Sequence, residues 1–290
     1  MALVRLEWRI WKAAWQAQGW FARLKTLGTE LSDPALDRLA ESSLLERLAS
    51  LNRLVQAHDL TFAIVSGVSR ALYVLEAVLQ RRLGKDWQSL LNAATQGLGT
   101  IVSAREVVWL AELGELARQE SAVREFLLSE PWEPDEFRQR LAGTRFLRSL
   151  DAFLAEYGHR AIGESDVMAP RFAETPAYLL HIIRGHLQAS PGRTVAELRR
   201  EQDSARRAAL RRIRQAFGYR LHEWAWFTWW YRDLCCYLEL REANRHHTMC
   251  YVAGIRRLLL KLGEKLVAWG VVGARDDLFF LTAEEIRSLV

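Results

Sequence analysis

The sequence predicts an all-α fold: a multi-helix bundle of long antiparallel helices with one long functional loop and at most one short strand near the C-terminus. Three observations predict it. Apolar residues recur at 3.6-residue spacing through nearly every segment, only 6 of the 290 residues are proline, and a single long stretch, residues 158–175, escapes the periodicity. Half of the residues are apolar, enough to bury a large core.

The elements follow in order. Trp8, Trp11 and Trp15 fall at i, i+3 and i+7 with Leu6 and Ile10 beside them, so the first helix carries an indole stripe, read as core packing. Asp33 followed by Pro34 is an N-cap with proline at the first helical position, opening a helix to about Ala57. Asp59 starts the next, through Val65, Val68, Leu72, Leu75 and Leu79 to Gly84, and Asp86 begins a short successor to about Gln96. Gln96-Gly97-Leu98-Gly99-Thr100 reads as a turn, its two glycines too few and wrongly flanked for a dinucleotide or phosphate loop. Ser103 with Glu106 makes a capping box, Pro131 to Pro134 breaks the chain, and Thr144 to Tyr157 is amphipathic again. Beyond the loop, Pro176 starts a helix to Leu187 and Ser190-Pro191-Gly192 turns the chain. Long helices are then expected over Thr194 to Phe217, His222 to Asn244 and His246 to Trp269. Leu278 to Leu281 reads as a strand, and Thr282 with Glu285 caps a last helix. The expected organisation is an N-terminal helical part (1–157), a motif loop (158–175) and a long-helix part (176–290), together one helical unit.

Composition narrows the function classes. Charged residues make up 26% of the chain, and the longest uncharged apolar stretch, Leu60 to Ser69, is too short to span a bilayer. Arg5, Glu7, Arg9 and Lys12 interrupt the apolar run that a secretory leader needs. A cytoplasmic protein with no membrane partner is expected. Three cysteines cannot frame so long a chain with disulfides, so they read as thiols in a reducing compartment. Twelve tryptophans stand out against that background, because indole needs burial or a ligand to stack on.

Four patterns carry candidate chemistry. Seven arginines between Arg199 and Arg214 face only Glu201 and Asp203; the stripe lacks the interleaved aromatics of a single-strand binder, so a solvated helix face is preferred over nucleic-acid binding. His246 and Cys250, at i and i+4, can share a metal ion, but two ligands do not make a site and no metal is expected. The block Trp224, Trp226, Phe227, Trp229, Trp230, Tyr231 covers more than one helix face. It is either core or the wall of a cavity for a flat apolar ligand. The loop Tyr157-Gly158-His159-Arg160-Ala161-Ile162-Gly163-Glu164-Ser165-Asp166 is the most specific signal. Arg160 and Arg171 can hold an anionic group while His159, Glu164 or Asp166 moves protons; equally, the arginines and carboxylates can pin the loop onto the helices.

The string YGHRAIGESDVMAPRF, then Arg241-Glu242 with Arg245, then Asp276-Asp277-Leu278-Phe279-Phe280-Leu281-Thr282, resembles the helical region of the phosphoenolpyruvate synthase-like phosphotransferases, most closely the rifampicin phosphotransferase type. The resemblance covers about Thr61 to Val290. It implies an acceptor-binding domain that works between an ATP-binding domain and a swivelling phosphohistidine domain. This sequence has no histidine preceded by Ser or Thr, the signature of the swivel domain, and residues 1–60 are too short for the ATP-binding one. ATP and Mg²⁺ are therefore expected to belong to absent domains or partner polypeptides, with no cofactor on this chain. The resemblance implies a small-molecule acceptor; residue chemistry offers Arg160, Glu164, Asp166, Arg171, Trp226, Trp230, Arg241 and Arg245 to hold it, with His159 orienting or deprotonating its hydroxyl. The rival expectation is a non-catalytic helical binding or scaffold protein that kept the fold.

Overall fold

The computed structural model describes residues 2–31, 33–98, 102–129, 136–188 and 195–289. Among them every regular element is helical, with no strand. The helices are α1 (Ala2–Glu30), α2 (Asp33–Leu36), α3 (Glu41–His58), α4 (Thr61–Leu83), α5 (Trp87–Thr95), α6 (Val102–Gln119), α7 (Ser121–Leu128), α8 (Glu136–Arg140), α9 (Arg145–Tyr157), α10 (Ala177–Gln188), α11 (Val195–Phe217), α12 (Leu221–Ala268) and α13 (Ala283–Leu289). The expected breaks at Pro131 to Pro134 and Ser190 to Gly192 lie outside the described residues, as do Gly99, Trp132 and the Ser103 side chain.

Two compact units share the chain. The first comprises residues 1–15, 61–152 and 177–243, the second 16–60, 153–176 and 244–290. Each is assembled from three separated segments, and α1, α9 and α12 contribute residues to both. Residues 158–175 fall wholly within the second.

In the first unit α11 packs on α4, α5 and α6, and α10 on α6 and α7. Helix α4 turns Ile64, Val68, Ala71, Leu75 and Leu79 inward. The stretch Glu41–Thr95, which includes α4, is long and apolar enough to cross a membrane by length and composition alone. The one interior cation of α4, Arg70, is nearly buried, pairs with Asp233 at 2.7 Å and Glu7 at 2.5 Å, and lies over the rings of Trp230 and Tyr237. Arg82 holds Glu223 through both guanidinium Nε and Nη2. Tyr237 reaches the Ile10 carbonyl at 3.0 Å, and its ring passes directly over Gly67.

In the second unit the core is a leucine cluster from α1 (Leu24, Leu27) and Leu31 just after it, α2 and α3 (Leu36, Leu44, Leu51) and α12 (Leu258, Leu262, Leu266). Helix α1 crosses α12 at two glycines, since a Cβ on Gly28 would stand 2.6 Å from the Cys250 carbonyl oxygen and one on Gly254 3.1 Å from Gly28 Cα. Arg257 closes the crossing by donating to the Leu31 and Gly28 carbonyls, which offsets the negative end of α1.

Four expectations need correction. The indole stripe is not core: Trp8, Trp11 and Trp15 are 67%, 54% and 84% exposed. Ile10, Ala13, Ala17, Phe21, Leu24 and Leu27 are buried instead, on the opposite face. Helix α1 is apolar on two sides, and the smaller side chains permit the closer approach. The two long helices expected after Leu221 are one, because nothing near Asn244 breaks the ladder and Asn244 is buried. The single helix expected from Asp33 to Ala57 is interrupted at 37–40, where the Leu39 amide turns back to the Leu36 carbonyl and lets Leu36 and Leu44 both reach the core. Finally, the strand expected at Leu278 to Leu281 is a 3₁₀ turn, Arg275–Phe280, set by the Asp277 carboxylate accepting the Ala274 amide at 2.7 Å. The Thr282/Glu285 capping box on α13 is present in both directions.

The glycine crossings predict a sharp contrast. Gly28→Ala and Gly67→Ala force a methyl into backbone or a rigid ring and should each cost about 1–3 kcal/mol. Gly19→Ala, on an exposed stretch of α1 with open space around it, should gain up to about 1 kcal/mol. Chemical denaturation of the three variants checks this.

Candidate functional site

The loop after α9 is irregular in dihedral angles but closed in hydrogen bonding. Helix α9 ends when the Gly158 amide bonds the Leu154 carbonyl at 2.7 Å, and Ala173 and Phe172 amides return to the carbonyls of Gly158 and Arg160. A side chain at Gly158 would collide with Leu154 O and with Ala173 Cβ. Gly163, at φ 68°, lets the Asp166 amide reach its carbonyl at 2.8 Å. Asp166 Oδ1 then accepts the Met168 amide, an Asx turn.

Two buried guanidiniums hold this path. Arg171, 2% exposed, donates to the carbonyls of Glu164 and Asp166 at 2.8 and 2.9 Å. Arg256 of α12, 3% exposed, donates to the carbonyls of Val167 and Met168 and clasps the Glu174 carboxylate with Nε and Nη2. Irregular backbone must find partners somewhere, and here arginine side chains supply them. Glu164 in turn is buried between Arg160, at 2.8 Å, and Arg245, at 2.5 Å. Among the described residues, the buried polar or charged side chains Arg160, Glu164, Arg171, Asn244, His246 and Arg256 all belong to the second unit.

Of the residues singled out in the sequence, His159, Arg160, Glu164, Asp166, Arg171 and Arg245 come together in this network. Trp226, Trp230 and Arg241 belong to the first unit, where Arg241 pairs with its neighbour Glu242 at 2.7 Å and Trp226 and Trp230 meet edge to face. The aromatic block there does line a groove of about 600 Å³, but through Trp224, Phe227 and Tyr231 with Arg211, Arg214 and Arg232. These three aromatics share the i, i+3, i+7 spacing that places them on one face, the signal that distinguishes them from Trp226 and Trp230. Arg256 also went unselected. An arginine set between Ile255 and the Leu258-Leu259-Leu260 run is its signal, since a charge on an apolar face needs a buried partner.

The loop forms one wall of a cavity of about 530 Å³ within the second unit, lined among others by His159, Arg171, His246, Cys250 and Glu174. Lys25, Arg257, Lys261 and Arg275 add positive charge, against Glu156 and Glu264, so the surplus favours an anionic guest. Lys261 is tied to Asp37 and Glu264. Burial, reinforced by the neighbouring His246 and Arg160, pushes the His159 imidazole down to about 3, so it is neutral at physiological pH. Burial pushes the Cys250 thiol up to about 11. His159 and His246 meet edge to face at 4.6 Å between centroids, and Cys250 lies one turn further along α12. A neutral imidazole at the cavity wall can orient a hydroxyl group through a hydrogen bond, while the same burial and neighbouring cations disfavour its taking up a proton.

The loop network makes its own prediction. Glu164→Gln leaves Arg160 buried beside an uncharged amide and should cost about 3 kcal/mol or more, whereas Asp166→Ala, losing one exposed amide contact, should cost no more than about 1.5 kcal/mol. Thermal or chemical unfolding distinguishes them.

Comparison with known proteins gives this architecture relatives. A family model described as "Rifampicin phosphotransferase fourth domain" matches residues 59–242, a span that includes the loop but stops short of His246, Cys250 and Arg256. A rifampicin phosphotransferase of Streptomyces sp is 28% identical over 221 residues, covering 71% of this chain and 25% of that protein. One from Streptomyces sviceus is 24% identical over 264 residues, covering 81% and 28%. An uncharacterized protein of Mycobacterium tuberculosis is 29% identical over 265 residues, covering 88% and 27%. The chain thus spans about a quarter of the length of the curated relatives it matches. Since the family model accounts for well over half of its residues, the chain belongs to the rifampicin phosphotransferase fourth-domain family.

Proposed function

We propose that the chain is the acceptor-binding helical region of a dikinase-type phosphotransferase. ATP, Mg²⁺ and the phosphohistidine are then supplied by other domains or polypeptides. The observation that carries this reading is the cation-rich cavity with a neutral His159 in its wall. An acceptor whose hydroxyl or enolate is to receive a phosphoryl group needs positive charge to offset the developing anion and a group that orients the attacking oxygen. Lys25 and Arg275, with the buried Arg171, supply the first, and the neutral His159 imidazole the second. The apolar groove at Trp224, Phe227 and Tyr231 offers a flat surface suited to a large planar acceptor.

A second reading, a non-catalytic binding or scaffold protein, draws support from the loop itself. Arg160, Glu164, Arg171 and Arg245 are all engaged in holding the loop's shape, as a structural role requires. On this reading no combination with ATP-binding and phosphohistidine polypeptides yields phosphotransfer.

The experiment is a thermal-shift series with a rifamycin, pyruvate and phosphoenolpyruvate. A ligand bound only by the native state at a hundred times its Kd stabilises by about 2.7 kcal/mol. One of the three should raise the midpoint, and Lys25→Ala should shrink the shift if the guest is anionic. No shift with any of them overturns the acceptor reading. The chain by itself with ATP and Mg²⁺ should transfer no phosphate.

A further inference from the structure

We propose that His159, His246 and Cys250 form a zinc site whose remaining coordination position opens into the cavity of the second unit. The inference rests on a ligand cluster and not on what the cavity holds, and it competes with the acceptor reading at one point: a His159 nitrogen that ligates zinc is not free to act on an acceptor hydroxyl in the same cavity.

The geometry is specific. One donor atom from each of the three side chains lies within 4.8 Å of the other two. A four-coordinate zinc ion takes imidazole nitrogen at about 2.0–2.1 Å and thiolate sulfur at about 2.3 Å, so metal binding must draw the three donors in from separations of up to 4.8 Å. His246 and Cys250 are one helical turn apart, the spacing that aims two ligands at a common point. The loop delivers the third. The Ala173 amide bonding the Gly158 carbonyl and the Phe172 amide bonding the Arg160 carbonyl fix the backbone on either side of His159, and Arg256 holds the loop to the same helix that carries the other two ligands.

A second observation points the same way. The Nε2 atom of His159 is buried and has no hydrogen-bond partner. A buried polar atom left unsatisfied costs about 1–3 kcal/mol; Trp20, Arg70, Arg171 and Tyr251 each have a buried atom in the same condition, and what sets His159 apart is that it stands beside two further ligand-type side chains. Two imidazoles and one thiolate are a borderline-soft set, which suits zinc and disfavours magnesium or calcium. Three protein ligands with an open fourth position is the stoichiometry of a reactive rather than a purely structural zinc centre. All three residues line the cavity, so a cavity guest with an oxygen donor can complete the coordination shell.

Cobalt(II) is the probe. Metal-free protein, kept reduced without thiols, is titrated with Co²⁺ and then with Zn²⁺. The site predicts a near-ultraviolet thiolate-to-cobalt band together with the visible bands of a four-coordinate ion, saturating at equimolar metal and bleached by Zn²⁺. Cys235→Ser/Cys236→Ser keeps both signals, leaving Cys250 as the sole thiol among the chain's three cysteines. Cys250→Ser abolishes the thiolate band, and His159→Gln weakens cobalt binding by at least about tenfold, the loss that even an outer-shell partner produces. No thiolate band in the Cys235→Ser/Cys236→Ser protein, or one that survives Cys250→Ser, overturns the proposal. So does His159→Gln protein that binds cobalt as tightly as wild type. Should either single-site variant fail to fold, the Cys235→Ser/Cys236→Ser spectrum decides alone: four-coordinate thiolate bands support the site, and their absence overturns it.

Discussion

Two guanidinium groups, those of Arg171 and Arg256, hold together what is distinctive in this protein. Between them they donate to four backbone carbonyls of the loop and to the Glu174 carboxylate. Each is almost wholly buried. A loop this long and irregular, set against an apolar helix bundle, would otherwise carry unsatisfied carbonyls at a cost that its few apolar contacts could not offset. Arginine suits the task because its planar fork presents several donors at once and does not lose its charge on burial. The arrangement also makes the loop dependent on the rest: remove one guanidinium and several acceptors lose their partners together.

From that constraint the position of His159 follows. The imidazole sits one residue beyond the glycine that ends α9, on the stretch that the return bonds tie down. Its burial is a consequence of loop closure rather than of its own chemistry. Burial keeps the ring neutral and leaves a nitrogen without a partner, beside a helix face that carries His246 and Cys250. The same closure makes the cavity, since the loop is one of its walls. Cation surplus in the cavity comes mostly from elsewhere, from α1, α12 and the 3₁₀ turn. Arg171 and Arg257 serve both stability and site, since each donates to backbone carbonyls and lines the cavity.

Much of this was legible in the sequence, and the failures have physical causes. The helical periodicity gave the helices, and the Thr282 cap appears where local chemistry places it, because capping depends on residues three apart and on nothing distant. Reading Trp8, Trp11 and Trp15 as core failed because amphipathicity names an apolar face, not which of two such faces is covered. The strand at Leu278 to Leu281 failed because four apolar residues fit either period, and the Asp277 side chain decided for a turn. The loop residues were found, since glycine, histidine, arginine and carboxylate are unusual in so short a run. What joins them to Arg256, and His159 to the His246–Cys250 pair, is tertiary: spacing within one helix cannot reveal a ligand from a distant segment.

Hydrogen–deuterium exchange of residues 158–175 tests the central claim most directly, comparing wild type with Arg256→Met, which keeps the bulk of the side chain and removes its donors. If the buried guanidinium organises the loop, the amides of Gly158, Asp166, Phe172 and Ala173 exchange slowly in wild type and lose protection in the variant, while the leucine core of the second unit stays protected. Equal protection of those amides in the two proteins would contradict the account.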